Sequence, residues 1–273
     1  MGSPIDGGVV VVTGASSGIG REIARLVARR AKSLVLVARR KERLEELSKE
    51  VARDGLTVHA VACDLADRSA TQALGGRIAE LVGDVDVLVN NAGVGDIGLF
   101  ERAAEDKTVS MIELNVTSLV LLTRAVLPRM VERGRGGILN VSSGFGLAYL
   151  PGFASYVATK HFVTGFSESL CTELAGTGVR VTQVCPGPVA TEFEQNIGNF
   201  TGQKAPAFME ISAAHCAESA VRGFDRGRAI VIPGLLMKVV MLVAAWTPRF
   251  VTRAVLSLAG RKMRKMQLAA QDR

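Results

Sequence analysis

The feature that most constrains the fold is an alternation of short apolar runs with longer segments of helical pattern. The runs are rich in Val, Ile and Leu, as is typical of strands buried on both faces of a parallel sheet. They cover residues 9–12, 34–37, 58–62, 85–89, 138–141, 179–184 and 230–232. The alternation predicts an α/β fold, a doubly wound, Rossmann-like parallel sheet of about seven strands with helices on both faces.

The segments between the runs have helical spacing over residues 21–30, 42–53, 69–82, 109–131 and 156–175. The sequence contains no internal repeat and no Pro/Gly/Ser-rich linker. Hydrophobic residues make up 48% of the chain and charged residues 22%, which is enough apolar material for one large core. We therefore expect a single domain. Its Rossmann-like body covers residues 1–233, and residues 234–273 form an apolar and then basic helical extension of the same domain.

The charge is distributed unevenly along the chain. The formal net charge is +7, but residues 226–271 hold nine Lys or Arg and no Asp or Glu, so the preceding body is close to neutral. A nucleic-acid-binding protein would more usually spread its basic residues over a groove and interleave aromatic stacking partners. Aromatic residues make up only 5% of this chain. We therefore expect no nucleic-acid partner.

The four cysteines and three histidines are scattered, without a CxxC pair. Isolated residues of these types are more often packing or surface residues than ligands, so we predict no metal site. The pattern also lacks a disulfide framework, which fits a reducing compartment. The first residues, MGSPIDGG, have neither the basic start nor the apolar run of a signal peptide, and we expect a cytoplasmic location.

A glycine-rich turn follows the first predicted strand and leads directly into a helix. Its sequence, TGASSGIG over residues 13–20, has GxxxGxG spacing rather than the more common GxGxxG. Glycines let the backbone approach a pyrophosphate, and a helix N-terminus presents free N–H groups with partial positive charge. The alternative is a glycine-rich turn without a ligand, but the position between strand and helix favours a dinucleotide site. The residues expected to contact the dinucleotide are Gly14, Ser16, Ser17, Gly18, Ile19 and Gly20.

The end of the second predicted strand is where the sequence should distinguish NAD from NADP. An acidic residue there would bind the ribose hydroxyls of NAD, whereas an arginine can pair with the extra phosphate of NADP. The chain has Arg39 and Arg40 at this point and no acid before Glu42, so we expect NADP(H) rather than NAD(H). The alternative is that both arginines are solvated residues at the start of a charged helix.

Two later loops complete the predicted cofactor site. Asp64 and its neighbour Leu65, after the third strand, are placed to meet the adenine. Asn91, Ala92 and Gly93 follow the fourth strand and provide small residues where the backbone must pass close to the cofactor. All these loops lie beyond the carboxyl ends of the strands, where ligands of such sheets bind.

Tyr156 and Lys160 stand four residues apart in a predicted helix, which places both side chains on one face. An isolated tyrosine is a poor base because its ordinary pKa is about 10. A neighbouring ammonium and a positively charged nicotinamide both favour the phenolate, and we expect them to lower that pKa toward neutrality. A YxxxK pair is common by chance, but this one lies thirteen residues after Ser143 and downstream of the glycine turn.

In combination, these motifs resemble those of the short-chain dehydrogenase/reductase family over roughly residues 8–232. The matching elements, in chain order, are TGxxxGxG at residues 13–20, NNAG at 90–93, a helix asparagine at Asn115, Ser143, the YxxxK pair and Pro186-Gly187. One such motif could be accidental, but six in the same order are not.

The resemblance implies a role for each of four catalytic residues. Tyr156 would exchange a proton with the substrate oxygen, and Ser143 would hydrogen-bond that oxygen. Lys160 would hold the ribose hydroxyls and lower the tyrosine pKa, and Asn115 would anchor a water that connects Lys160 to solvent. Ser142 competes for the serine role, but the spacing to the tyrosine favours Ser143. The residues implied to border the nicotinamide are Pro186, Gly187, Val189 and Thr191.

Aromatic residues near the catalytic motif are candidates for a substrate pocket. Phe145 and Tyr149 follow Ser143, and Phe193 begins a mixed apolar stretch with few charges to hold an acidic substrate. The further candidates are Leu147, Ile197, Phe200 and Phe208. Phe193, Phe200 and Phe208 can equally be packing residues of a lid. We therefore expect a small lipophilic carbonyl or alcohol as substrate, such as a ketoacyl, steroid or retinoid compound.

The C-terminal region departs from the compact end of many family members. Residues 235–246 are apolar except for Lys238, and residues 249–266 combine an apolar helical stripe with basic residues. The apolar run is too short for a bilayer span, which needs about 20 residues. A basic amphipathic helix near Trp246 suits peripheral contact of residues 235–266 with an anionic membrane. Packing on the domain or on a second subunit is the alternative, and we expect a homodimer or homotetramer.

The sequence thus predicts an NADP(H)-dependent oxidoreductase that transfers a hydride between nicotinamide and a carbonyl/alcohol pair. An alternative of another class is a nucleotide-sensing relative that binds partners and does not catalyse. Such a protein would be expected to lose the tyrosine or the lysine, and this chain has both. A C=C reductase or an epimerase remains a lesser alternative.

Overall fold

The computed structural model describes residues 2–193, 197 and 206–271. A seven-stranded sheet, parallel throughout, lies at its centre. The strands are β1 (Val9–Thr13), β2 (Ser33–Ala38), β3 (Thr57–Ala62), β4 (Val87–Asn90), β5 (Gly136–Val141), β6 (Val179–Val184), β7 (Val189–Ala190), β8 (Ile211–Ser212) and β9 (Ile230–Val231). The sheet order is β3-β2-β1-β4-β5-β6-β9, and β7 and β8 form a separate two-stranded ladder. The predicted doubly wound fold is confirmed.

Helices cover both faces of the sheet. They are α1 (Gly18–Ala28), α2 (Lys41–Glu50), α3 (Arg68–Val82), α4 (Glu105–Ile112), α5 (Ser118–Glu132), α6 (Ala154–Glu173), α7 (Ala213–Asp225), α8 (Leu235–Trp246) and α9 (Arg249–Gln271). Helices α1, α2 and α7 pack on one face, and α3, α5 and α6 on the other. Within β1, Val10 and Val12 join the first core and Val11 the second. This division explains why the strand sequence is apolar at every position.

Two predicted elements differ from the structure in an informative way. The run at 85–89 becomes a strand only from Val87, and just before it the buried Asp86 carboxylate accepts a hydrogen bond from the Val9 amide at 2.9 Å and pairs with Arg133 at 3.1 Å. The helix predicted over 109–131 is divided by a π-helical turn, Glu113–Thr117. The turn contains Asn115, whose side chain is bound to neighbouring backbone, and such turns are frequent at functional sites.

The end of β5 determines where α6 lies. The Asn140 side chain donates to the Ser167 hydroxyl at 2.9 Å, and it accepts from Asn90 of β4 at the same distance. One residue further, the Val141 carbonyl accepts from the Lys160 ammonium at 3.0 Å. These polar groups are buried, so each bond also avoids the cost of an unsatisfied group. The first half of α6 is thereby fixed against the carboxyl end of the sheet.

The C-terminal helices pack against the same end of the domain. Met237 of α8 packs against Gly187, and Met263 of α9 packs against Gly152, each in the space that a Cβ atom would occupy. The Leu99 amide donates to the Gln267 side chain at 2.7 Å, and Arg264 pairs with Glu101 at 2.6 Å. The extension therefore covers the loops that follow β4 and β5.

Candidate active site

A cleft of about 1230 Å³ lies across the carboxyl ends of β1 to β6. That volume exceeds the roughly 300–1,000 Å³ of typical ligand pockets, so a dinucleotide and a substrate can share it. The cleft is located where strand order reverses between β1 and β4, the usual ligand position in an open α/β sheet. The predicted residues along it are Gly14, Ser16, Ser17, Gly18, Ile19, Arg39, Arg40, Asp64, Leu65, Asn91, Ala92, Gly93, Ser143, Phe145, Tyr149, Tyr156, Lys160, Pro186, Gly187, Val189, Thr191, Phe193 and Ile197.

Four candidate residues do not line the cleft. Gly20 and Asn115 lie behind its wall, where Gly20 lets α1 pack closely against Asn91 and Gly14. Leu147 is half-buried beside the cleft. Phe208 is 77% exposed in a one-turn helix, Ala207–Met209, whose Met209 faces the cleft instead. Phe200 lies outside the described residues.

The glycine turn has the backbone geometry that a bound phosphate group requires. Gly14 has φ +64°, and a Cβ there would lie 2.7 Å from the Asn91 amide nitrogen, so only glycine fits. The turn leads into α1, whose N-cap Ser17 makes no capping hydrogen bond with its side chain. The first-turn N–H groups of α1 therefore remain available for an anion.

Asn91 and Thr13 join the glycine turn to the loop after β4. The Asn91 side-chain nitrogen donates to the Thr13 carbonyl at 3.0 Å and to the Gly14 carbonyl at 3.3 Å. The Thr13 hydroxyl accepts from the amides of Asn91 and Ala92, at 3.0 and 3.1 Å. These bonds keep both loops at a fixed separation, and the residues present fit a dinucleotide that passes between them.

The two arginines after β2 have different surroundings. Arg40 donates to the Ser16 and Ser17 hydroxyls at 3.1 and 3.0 Å and pairs with Glu192 at 2.9 Å. Arg39 is exposed, lines the cleft and makes no ion pair with another described residue. Arg40 thus extends over the glycine turn, and Arg39 offers an open guanidinium.

The Asp64 carboxylate stabilises its own turn. Its Oδ1 atom accepts a hydrogen bond from the Ala66 amide at 3.0 Å, and the Asp64 carbonyl accepts from the Asp67 amide at 3.1 Å. Leu65 is buried behind it and also lines the cleft. The turn presents one acidic and one apolar side chain at the β3 end of the cleft.

Tyr156, Lys160 and Ser143 meet at the centre of the cleft. The Lys160 ammonium lies 5.8 Å from the centroid of the Tyr156 ring, on the same side of α6. The tyrosine and the lysine are both almost completely buried, whereas Ser143 is partly exposed to the cleft. Ser142 is turned away, because its hydroxyl donates to the Lys160 carbonyl at 3.2 Å and bonds Thr164 at 3.0 Å. The geometry therefore favours Ser143 over Ser142.

Burial dominates the ionisation of the tyrosine and the lysine. It raises the pKa of Tyr156 to about 12, although a hydrogen bond with Ser143 acts in the opposite direction. It also lowers the pKa of Lys160 to about 8. The expected lowering of the tyrosine pKa by the lysine is thus not seen in the protein alone. The Lys160 ammonium is directed at the Val141 carbonyl, and burial is the main cause of the raised tyrosine pKa.

Asn115 connects the loop after β4 to the catalytic helix. Its side chain accepts from the Val94 amide at 2.9 Å and donates to the Val94 carbonyl at 2.8 Å. It also donates to the Thr159 hydroxyl at 3.0 Å, next to Lys160. The Asn115 side chain therefore fixes the loop after β4 relative to helix α6.

Three phenylalanines surround the catalytic tyrosine. The ring centroids of Phe193 and Phe145 lie 5.6 and 6.1 Å from that of Tyr156, and Phe153 lies at 6.5 Å. Phe145 and Phe153 are also in contact, at 4.9 Å between centroids. Such contacts exclude water and provide an apolar wall for a substrate beside the tyrosine hydroxyl.

Comparisons with known proteins agree with this geometry. A family model described as short chain dehydrogenase matches residues 8–201. The chain belongs to this family. Sulfoacetaldehyde reductase 2 of Chromohalobacter salexigens is 42% identical over 190 residues, which cover 68% of this chain and 74% of the relative.

Solved structures of the family resemble this one closely. A short-chain dehydrogenase from Sphingobium yanoikuyae, in complex with NADPH, is 36% identical, with a TM-score of 0.75 over 84% of this chain and 88% of the other. A short-chain dehydrogenase/reductase from Burkholderia phymatum, in complex with NAD, is 25% identical, with a TM-score of 0.76 over 87% and 92%. This chain is therefore a short-chain dehydrogenase/reductase, an oxidoreductase with the nicotinamide-binding fold.

Part of the cleft of this short-chain dehydrogenase/reductase was not predicted from sequence. Its outer wall comes from both C-terminal helices, through Met237, Val240, Met241, Ala259, Lys262, Met263 and Met266. Phe153 and Glu192 were also missed. Phe153 lies three residues before Tyr156, a detectable signal, whereas the ion pairs of Glu192 with Arg40 and Arg43 join residues far apart in the chain.

Burial of Lys160 predicts a pH-dependent stability of the cofactor-free enzyme. Because the folded-state pKa is about 8 and the ordinary value 10.5, the unfolded chain binds this proton more tightly. Relative to a Lys160→Met variant, the free energy of unfolding should therefore rise between pH 8 and 10.5. The full rise is on the order of 3 kcal/mol. Urea unfolding of both proteins across this range measures it, and a difference independent of pH would contradict the assignment.

Proposed function

We propose that this enzyme transfers a hydride between NADP(H) and a carbonyl/alcohol pair on a small lipophilic substrate, such as a ketoacyl, steroid or retinoid compound. The observation that carries the proposal is the meeting of Tyr156, Ser143 and Lys160 in a cleft with an apolar outer half. Bound NADPH would supply the hydride, and the protein supplies position and electrostatics. Asn115, Ser143, Tyr156 and Lys160 are the proposed catalytic residues.

The proposed proton path begins at the Tyr156 hydroxyl. Since burial keeps this phenol protonated, it can donate its proton to the substrate oxygen during reduction. The Ser143 hydroxyl hydrogen-bonds the same oxygen and orients the carbonyl. The buried Lys160 ammonium holds the ribose hydroxyls and favours the phenolate that remains. Asn115 holds Val94 and Thr159, the residue before Lys160, in place, and we propose that it also anchors the water that returns a proton.

The preference for NADP(H) rests on the two arginines after β2. Arg39 presents an open guanidinium, and Arg40 lies over the glycine turn beside Ser16 and Ser17. The S. yanoikuyae relative is described with NADPH and the B. phymatum relative with NAD, so the family accepts either cofactor. The proposed preference for NADP(H) over NAD(H) therefore rests on Arg39 and Arg40 and not on membership of the family. The NADP(H) site would also include Gly14, Gly18, Ile19, Asp64, Leu65, Asn91, Ala92, Gly93, Pro186, Gly187, Val189 and Thr191.

A lipophilic substrate is proposed from the side chains beyond Tyr156. Phe145, Phe153 and Phe193 form one wall, and methionines of α8 and α9 form another. Methionine is flexible and polarizable, so such a wall adapts to bulky apolar groups. Cytoplasmic location and a homodimer or homotetramer remain part of the proposal.

Replacement of the catalytic hydroxyl tests the proton path. Tyr156→Phe should lower kcat for NADPH-dependent ketone reduction by roughly 10²- to 10⁴-fold, because general acid catalysis is lost. NADPH binding, measured by fluorescence titration, should change little. Tyr149→Phe is the matched control, since it removes the other tyrosine hydroxyl of the cleft. Wild-type turnover by Tyr156→Phe would exclude the proposed acid.

Reversal of charge at Arg39 tests cofactor selectivity. Arg39→Asp should lower the ratio of kcat/KM for NADPH to that for NADH by roughly 10- to 100-fold, the value of a charge-assisted hydrogen bond. Lys41→Asp makes the same charge change two residues away, outside the cleft lining, and should leave the ratio unchanged. An unaltered ratio in Arg39→Asp would show that the phosphate is bound elsewhere.

A series of ketones of increasing chain length tests the substrate class. With NADPH, kcat/KM should rise by up to roughly fourfold per added methylene while the chain contacts the apolar wall. Met241→Ala should reduce this slope and spare short ketones, because it removes part of that wall. Phe208→Ala, at an exposed position outside the wall, is the control. Activity confined to short ketones would refute a lipophilic substrate.

A further inference from the structure

The two C-terminal helices each have a cleft-facing side and a solvent-facing side. Met237 and Met241 of α8 and Met263 and Met266 of α9 face the cleft. The opposite side carries large apolar residues that the protein leaves exposed. They are Leu235 (78%), Leu242 (60%), Val243 (60%), Trp246 (83%), Phe250 (74%) and Leu258 (65%). A contiguous apolar surface of this kind marks an interaction site.

The solvent-facing side of α9 changes from apolar to basic along its axis. Phe250, Ala254 and Leu258 follow one another at four-residue spacing and are exposed. Arg261 and Lys265 continue the same strip at three- and four-residue spacing and are also exposed. We call the exposed residues of α8, together with this strip of α9, the outer face.

The two C-terminal helices are basic. Helices α8 and α9 contain seven Lys or Arg and no Asp or Glu. Arg264 pairs with Glu101 of the domain. Arg253, Arg261, Lys262 and Lys265 make no ion pair with any other described residue. The outer face is therefore apolar at its centre and cationic around it, without internal neutralisation.

This combination determines the kind of partner. A symmetric interface with a second copy would bring the same basic residues together, and like charges repel. An anionic phospholipid layer instead provides phosphate groups for the cations and an apolar interior for Trp246 and Phe250. Helix α9 is amphipathic, as expected for a helix that lies in an interface, and α8 is apolar except for Lys238.

Helices α8 and α9 do not form one straight membrane span. Helix α8 has 12 residues, well below the 20 or so that cross a bilayer, and the axis bends by 111° between α8 and α9. The described segment that is long and apolar enough to cross, Glu105–Glu132 with mean hydropathy 1.4, includes α5, which packs on β4, β5 and α3.

We propose that the outer face docks on an anionic phospholipid bilayer and places the mouth of the cleft at the membrane surface. Val240 and Lys262 line the cleft and are themselves exposed, so the rim of the cleft reaches the outer face. A lipophilic ketone dissolved in the bilayer could then enter between α8 and α9. The entry step rests on the proposed function, whereas the docking does not.

Flotation of the full-length protein with vesicles tests the docking. Binding to vesicles that contain phosphatidylglycerol should exceed binding to pure phosphatidylcholine vesicles and should fall at high salt. The variant Arg261→Glu/Lys265→Glu should lower the partition coefficient at least roughly 25-fold, since each cation near such a surface contributes roughly fivefold. Phe250→Ser/Leu258→Ser should also weaken binding.

The matched control makes the same charge change at the other end of the sheet, beside the amino-terminal ends of the strands. Arg226→Glu/Arg228→Glu precedes β9 at the amino-terminal side, and both residues are exposed. It should bind as the wild type does. Absence of vesicle binding, an equal loss in this control, or a change of oligomeric state in the outer-face variants, measured by analytical ultracentrifugation, would each overturn the proposal. The last result would assign the face to a second copy.

Kinetics with two ketones separate the docking from the entry step. Arg261→Glu/Lys265→Glu lies outside the cleft lining, so kcat/KM for a short, water-soluble ketone should be unchanged. With a long-chain ketone supplied in anionic vesicles, its kcat/KM should fall roughly in proportion to the lost vesicle binding. If the wild type and this variant had equal kcat/KM for the long-chain ketone in vesicles, entry from the bilayer would be refuted. Inactivity of the wild type on every ketone would refute the proposed function instead and leave the flotation result intact.

Discussion

The hydrogen bonds between the end of β5 and helix α6 are the interaction on which the site depends. Asn140 binds Ser167, and the Val141 carbonyl binds the Lys160 ammonium one residue later. Since β5 is a central strand of a parallel sheet, its carboxyl end lies beside the loops that follow β1 and β4. A helix fixed to that strand therefore brings Tyr156 to the cofactor cleft without any flexible connection. The hydrogen bonds between β5 and α6 thus link the order of the strands to the position of the catalytic tyrosine.

The burial that accompanies this fixed helix also determines the pKa values of Tyr156 and Lys160. Desolvation opposes charge on both groups, with pKa values of about 12 for Tyr156 and about 8 for Lys160. The phenol can act as an acid in this environment, but a phenolate requires a further positive charge nearby. The oxidised nicotinamide carries such a charge, so the ionisation of the tyrosine would be coupled to the redox state of the cofactor. A solvated tyrosine would not show this coupling.

Much of this architecture could be predicted from the sequence, and the limits have physical reasons. Buried parallel strands and the Gly14 turn have strong local signals, because apolar runs and obligatory glycines depend on near neighbours. The pair of Arg40 and Glu192 has no such signal, since it joins residues far apart in the chain. The exposure of Phe208 was not predictable either, as spacing alone does not decide which side of a single turn faces a cleft. The sequence therefore did not show which residues far apart in the chain come into contact or which side chains face the cleft.

The C-terminal helices show how one segment can satisfy two patterns at once. Their sequence fits both packing on the domain and contact with a membrane, and a periodicity argument treats these as alternatives. In the structure, the methionines of α8 and α9 close the cleft, while Trp246, Phe250 and Leu258 remain exposed on the other side. The apolar residues of these helices thus lie on two sides, one that lines the cleft and one that is exposed. Since these two helices line the cleft, the environment of their exposed side would bear directly on how substrate enters.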